Sequence, residues 1–183
     1  QQATALDAIA DWLADKRGPQ VFRLFGWAGT GKTTLAKHFT DSSDIDALYA
    51  AFCGKAALVL RKKGCYDAST LHSIVYKAHE DKDTGKVTFL LNPDSPLVGA
   101  GLLVVDEVSM VDPALGADIL SFGCRVLVLG DPFQLPPVGG AGFFTSCEPD
   151  FMLTEIHRQA ADNPIIAMAS TVRNHGRLEP GAY

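Results

Sequence analysis

Long hydrophobic runs are missing from this 183-residue chain. No apolar stretch is long enough to cross a bilayer, and the N-terminus has no basic-then-apolar leader. A membrane partner is therefore not expected. Cysteine is scarce: Cys53, Cys65, Cys124 and Cys147 lie far apart, without a C-x-x-C pair. That spacing argues against zinc ligation and against a disulfide framework, and leaves reduced thiols in a cytoplasm as the default. Positive charge is also short, with 16 Lys and Arg against 21 Asp and Glu and a net charge of −5. A wholly basic nucleic-acid coat is excluded, although a local basic groove is not. The densest basic cluster, Arg61-Lys62-Lys63, reads equally as the solvated C-terminus of a helix, where cations suit the dipole, or as a nucleic-acid contact. An initiator Met is lacking too, and the chain stops at Gly181-Ala182-Tyr183 without a charged tail. From this we expect a piece of a longer protein.

What is present describes one globular domain, 47% hydrophobic and 20% charged. Short apolar runs recur at 21–25, 47–52, 101–105, 125–129 and, more weakly, 151–153. Helical patterns lie around and between them at 3–16, 32–39, 55–63, 70–78 and 113–122, the last with Pro113 in a first turn behind an Asp112 cap. Alternation of this kind predicts an α/β fold, a parallel sheet sandwiched by helices. One segment breaks the rhythm. The polar run 80–86 with a glycine turn, then Val87-Thr88-Phe89-Leu90-Leu91 and Asn92-Pro93-Asp94-Ser95-Pro96, reads as a small hairpin-like insertion, spanning about 79–98.

Three strings carry chemistry, each just after an apolar run. Gly26-Trp27-Ala28-Gly29-Thr30-Gly31-Lys32-Thr33 is a complete phosphate-binding loop between a strand and a helix. Its glycines let the backbone curl so that amide N–H groups face a phosphate, which sits at a helix N-terminus. Gly26, Ala28, Gly29, Thr30, Gly31, Lys32, Thr33 and Thr34 form the expected cradle. Lys32 is placed to reach the β- and γ-phosphates, and the Thr33 hydroxyl to ligate Mg²⁺. The second string, Leu102-Leu103-Val104-Val105-Asp106-Glu107, ends a strand in two carboxylates. Asp106 is the expected metal ligand and Glu107 the residue that polarises an attacking water. The third, Val128-Leu129-Gly130-Asp131-Pro132-Phe133-Gln134-Leu135-Pro136-Pro137, sets a polar amide between a glycine turn and stiffening prolines. Gln134 can both donate and accept, which suits a γ-phosphate sensor.

Together these strings resemble superfamily 1 DNA helicases, and within them the RecD-like and Dda-like subgroup that moves 5′→3′ on single strands. Other pieces agree: Gly54-Lys55-Ala56-Ala57 is similar to motif Ia and Ser69-Thr70-Leu71-His72-Ser73 to motif Ib. Leu153-Thr154-Glu155-Ile156-His157-Arg158-Gln159 is similar to motif IV, and Gln2-Ala3-Thr4-Ala5 to the adenine-reading Q motif, with Gln1 as the alternative reader. The resemblance spans nearly the whole chain. It implies a first RecA-like motor domain that uses ATP and Mg²⁺, with Arg158 on the γ-phosphate and the insertion as a pin or wedge. It also implies single-stranded DNA, gripped near Gly54-Lys55 and Thr70–His72, and single/double-strand junctions as partners of a monomeric motor. Where the family often has Ala-Pro-Thr, this chain has Ala51-Phe52-Cys53, which leaves Phe52 to stack on a base and the Cys53 contact in question. Phe133 reads equally as interdomain packing or base stacking. The second RecA-like domain, with its arginine finger, lies outside the sequence; the chain alone is therefore expected to bind Mg·ATP weakly, hydrolyse it slowly and not unwind DNA. The alternatives are a RecD-type subunit of a recombination nuclease, a relaxase-fused helicase, and a non-motor P-loop switch or kinase.

Overall fold

The computed structural model describes residues 1–82, 84–135, 137, 140–155, 168 and 171–172. Six strands form one parallel sheet in the order β3-β2-β6-β7-β1-β8. They are β1 (Val21–Gly26), β2 (Ala47–Ala51), β3 (Ser69–Thr70), β6 (Leu102–Asp106), β7 (Arg125–Gly130) and β8 (Phe151–Leu153). The central strands β6 and β7 are buried along almost their whole length, as near-continuous Leu/Val runs should be when helices cover both faces. Alternation divides their side chains between two cores. Leu102, Val104, Leu127 and Leu129 pack with helices α1 (Gln2–Ala14) and α2 (Lys32–Ser42), through Ala5, Ile9, Trp12, Leu35 and Phe39. Leu103, Val105, Val126 and Val128 pack with α4 (Leu71–Val75) and α5 (Pro113–Ser121). Helix α3 (Gly54–Lys62) buries Ala57 and Leu60 in a smaller cluster beside β2.

Helix ends follow their local chemistry. Asp112 Oδ1 accepts from Leu115 N at 2.9 Å with Pro113 in the first turn, the expected cap of α5. The C-terminal end of α1 has no glycine stop. Instead Arg125 lies over the Trp12 ring, 5.1 Å from its centroid, and donates to the carbonyls of Trp12, Asp15 and Pro19. Among the described residues, no helix is long and apolar enough to cross a membrane.

One expected helix is corrected. The pattern at 70–78 predicts a helix through Ala78, but α4 stops at Val75 and the chain turns directly into β4 (Tyr76–Glu80). The β-branched and aromatic run Ile74-Val75-Tyr76 suits a strand better than a third helical turn. Strand β4 pairs antiparallel with β5 (Val87–Leu91), Tyr76 opposite Leu91 and Glu80 opposite Val87. The hairpin therefore begins at Tyr76, ahead of the boundary near 79. Its turn is closed by Gly85 at φ +66°, whose N–H donates to Asp81 O at 2.8 Å.

Candidate functional site

All the chemistry-bearing strings emerge at the C-terminal edge of the sheet, where open α/β sheets bind ligands. After β1 the loop turns through Gly29 (φ +83°) and Gly31 (φ +84°) into α2, in the left-handed region that glycine adopts without strain. Gly26 is needed for close approach: a methyl there would lie 2.8 Å from Leu153 Cβ, Leu153 O and Thr30 Oγ1. Thr30 braces the loop from behind, 1% exposed, with its hydroxyl donating to Trp27 O at 2.8 Å. Lys32 Nζ folds into the cradle and donates to Gly26 O (2.6 Å) and Trp27 O (3.0 Å).

Thr33 and Asp106 meet across 73 positions of sequence. The Thr33 hydroxyl donates to Asp106 Oδ2 at 2.9 Å, while Asp106 Oδ1 accepts from Glu107 N at 3.0 Å. A hydroxyl beside a carboxylate is a hard-oxygen donor pair, which suits Mg²⁺ completed by phosphate and water. Glu107 stands at φ +56°, the single non-glycine residue with positive φ among those described. That strained turn ends β6 directly after Asp106. Gln134 follows β7; its Oε1 accepts from Ser109 Oγ at 3.0 Å and its N–H donates to Asp131 O at 3.1 Å. Lys32, Thr33, Asp106, Glu107 and Gln134 line one cavity of about 390 Å³, with Ala28, Gly29, Gly31 and Thr34 on its loop wall.

The two N-terminal glutamines separate. Gln1 is tied to the end of β8: its Nε2 donates to Thr154 Oγ1 (2.8 Å), and its Oε1 accepts from Thr154 N (3.0 Å) and Glu155 N (3.1 Å). Gln2 Nε2 reaches the loop itself, donating to Thr30 O at 3.4 Å. Arg158 lies outside the described residues.

The motif Ia and Ib segments form an adjoining rim. Ala51 pairs with Thr70 across β2 and β3, and just beyond these strand ends the Phe52 ring lies close to His72. Thr70 has a local duty, since its Oγ1 caps α4 by accepting from Ser73 N at 3.3 Å. His72 sits between two rings, 5.6 Å from Phe52 and 5.9 Å from Tyr76. Cys53 takes the N-cap position of α3 without a side-chain cap bond. Phe52, Cys53, Lys55, Met110, Phe133 and Leu135 line an open apolar groove beside the nucleotide cavity. Phe133 is 56% exposed there and Leu135 85%.

Two residues near the cavity receive no role from the sequence strings. Ser109, 5% exposed, donates to Gln134; in sequence it is a hydroxyl two residues beyond Glu107. Lys63 was expected at a solvated helix end or on nucleic acid; it is exposed and also lines this cavity. Nothing in local sequence distinguishes it from Lys62.

Comparison with known proteins agrees with this geometry. A family profile described as "AAA domain" matches residues 1–181. The ATP-dependent RecD2 DNA helicase of Deinococcus radiodurans is 37% identical over 188 residues, which cover 97% of this chain and 23% of that protein. The ATP-dependent DNA helicase dda of Enterobacteria phage T4 is 34% identical over 168 residues, 81% of this chain and 37% of that protein. Among solved structures, the Pif1 helicase from Bacteroides in complex with ADP-AlF3 and ssDNA superposes with a TM-score of 0.66 at 27% identity. That match covers 95% of this chain and 46% of the Pif1 chain. The chain thus spans less than half the length of each of these relatives. It belongs to the AAA-domain family, and its motifs, relatives and fold place it with the motor domains of superfamily 1 helicases of the RecD-like and Dda-like kind.

Proposed function

We propose that this chain is an ATP-hydrolysing motor domain that couples hydrolysis to movement on single-stranded DNA and to opening of single/double-strand junctions. The observation that carries this reading is the convergence of Lys32, Thr33, Asp106, Glu107 and Gln134 from three separate strand ends on one cavity. Lys32 and the first-turn amides of α2 hold the β- and γ-phosphates. Thr33 Oγ1 and Asp106 would hold Mg²⁺, which would supply neutralisation of phosphate charge. Glu107 orients the attacking water and takes its proton. Gln134, steadied by Ser109, reports the γ-phosphate, and Gln2 reads the base. Arg158 is assigned to the γ-phosphate on resemblance alone.

The adjoining rim, with Phe52, Cys53, Gly54, Lys55, Thr70, His72 and Phe133, is the proposed strand path. Its backbone turns and rings offer phosphate and base contacts without a strongly basic surface. The β4–β5 hairpin is the proposed pin that meets the duplex. A second RecA-like domain closes on the exposed edge near Phe133 and Leu135 and supplies the arginine finger. The motor works as a monomer, and a reducing cytoplasm suits its four free cysteines.

The test is ATP hydrolysis by the full-length protein with and without single-stranded DNA, alongside Lys32→Ala. Strong DNA stimulation is expected, with a fall of about 100-fold or more in the variant. Hydrolysis indifferent to DNA would overturn the motor reading and favour a nucleotide switch or kinase.

A further inference from the structure

Lys63 has no part in the roles assigned above. It closes the C-terminal end of α3, 30 positions from Thr33, yet its Nζ lies 3.3 Å from Thr33 Oγ1 at the wall of the nucleotide cavity. The fold builds this placement. Lys63 N donates to Val59 O (3.1 Å) and Leu60 O (3.0 Å), Gly64 turns the chain at φ +93°, and Cys65 N returns to Leu60 O at 3.1 Å. A methyl on Gly64 would meet Lys37 Cε at 2.7 Å, so the end of α3 is seated directly on α2, whose first turn carries Thr33. The neighbouring cations go elsewhere. Arg61 Nε donates to Ala68 O at 2.7 Å, and Lys62 is exposed away from the cavity wall.

The Thr33 hydroxyl has one proton and two lone pairs. Its proton goes to Asp106 Oδ2, and the Lys63 ammonium approaches the lone-pair side of the same oxygen. A divalent cation ligated by that oxygen would stand about 2.0–2.1 Å away. An ammonium and a dication on the same oxygen repel, so Mg²⁺ at Thr33 weakens the Lys63 contact and the contact opposes Mg²⁺. At 3.3 Å the lysine contact is long and easily released, and the four-carbon stem lets the ammonium swing clear.

We propose that Lys63 is a built-in placeholder cation: its exposed ammonium rests on Thr33, is pushed off when Mg²⁺ binds there, and so raises the Mg²⁺ concentration that nucleotide binding requires. This rests on reading the cavity as a Mg·nucleotide site.

The experiment is a Mg²⁺ titration of binding of a fluorescent, non-hydrolysable ATP analogue to the full-length protein, comparing wild type, Lys63→Met and Lys62→Met. One displaced hydrogen bond corresponds to a half-maximal Mg²⁺ concentration about 3- to 10-fold lower in Lys63→Met. Lys62→Met, which removes the same charge, should keep the wild-type midpoint. An unmoved midpoint in Lys63→Met makes Lys63 a surface lysine, and a raised one makes it a phosphate ligand; either overturns the proposal. If the wild type binds no analogue at any Mg²⁺ concentration, the nucleotide reading itself has failed. Binding of Mn²⁺ alone, counted by its EPR signal, then still decides Lys63: tighter Mn²⁺ binding in Lys63→Met supports the placeholder, and unchanged binding refutes it.

Discussion

Strand β5 of the hairpin and the centre of the parallel sheet are made from similar residues and come to opposite ends. In β6 and β7 the Leu and Val side chains are buried on both faces between helical layers. In the hairpin Phe89 is 71% exposed, Leu90 55% and Val87 52%, and the two strands pair only with each other. A two-stranded hairpin is marginal alone, so this one depends on its base. There Tyr76 OH donates to Asp118 Oδ2 at 2.5 Å, Asn92 N donates to Val75 O at 2.9 Å, and Ser95 Oγ donates to Ile74 O at 2.6 Å. Covered strands make a frame that brings the strand-end strings to one cavity. Uncovered ones make an arm whose apolar side chains are left for a partner, which fits the proposed pin.

Three substitutions sharpen this contrast. The largest effect is expected at the sheet edge, from Gly26→Ala. The added methyl has backbone on one side and the loop on the other. It should cost about 2–3 kcal/mol, a fall of roughly 5–10 °C in Tm by calorimetry, and should impair nucleotide binding as well. A Tm within a degree of wild type would mean that the loop gives more freely than its packing indicates.

A smaller effect is expected where the two regions join. Tyr76→Phe removes the bond to Asp118, which should cost about 1 kcal/mol in urea unfolding near neutral pH. The cost should also depend on pH. Burial, and then the bond to Asp118 and the nearby carboxylate charges, push the Tyr76 phenol up to about 12 from an ordinary 10. A group whose folded pKa is raised stabilises fully below its unfolded value and loses that contribution as pH climbs through the folded one. The difference between wild type and Tyr76→Phe should therefore hold up to about pH 10 and shrink between pH 10 and 12. Tyr49 titrates in the same window, also near 12 chiefly because of burial, but it does so in both proteins and cancels. A difference that stays constant across that range would mean that the Tyr76 bond is not what anchors the arm.

The smallest effect belongs to the arm itself. Phe89→Ala should change stability by less than about 0.5 kcal/mol, because the ring buries little. A larger loss in the same unfolding experiment would show that the hairpin has a core of its own and erase the contrast.

Much of the candidate site's layout was legible because its information is local. The left-handed glycines Gly29 and Gly31, the strand-ending carboxylates and the capped start of α5 each depend on a few adjacent residues. The hidden parts share a different property. Ser109 reaches Gln134 across 25 positions, Lys63 reaches Thr33 across 30, and Gln1 reaches Thr154 across 153. Periodicity reports that a side chain faces a neighbour but not which neighbour. Hence Arg61, Lys62 and Lys63 look alike in sequence yet go to the Ala68 carbonyl, to solvent and to Thr33 at the cavity wall. The shortened α4 is a related case: an isolated helical turn and a strand start compete closely at 74–76, and pairing of Tyr76 with Leu91 decides.

By itself, the sequence determined the alternation of strand and helix, the phosphate-binding loop, and the placing of each chemical string just beyond a strand. These follow from backbone sterics and from side-chain periods of 2 and 3.6, which act within a few residues. Only the tertiary structure decided which strands are neighbours. That choice brought Thr33 to Asp106, steadied Gln134 with Ser109, and seated the end of α3 on α2 so that one cation of the Arg61-Lys62-Lys63 run reaches Thr33. The reason is physical: burying both faces of the sheet selects a single strand order and register, and contacts between distant residues exist only once that selection is made.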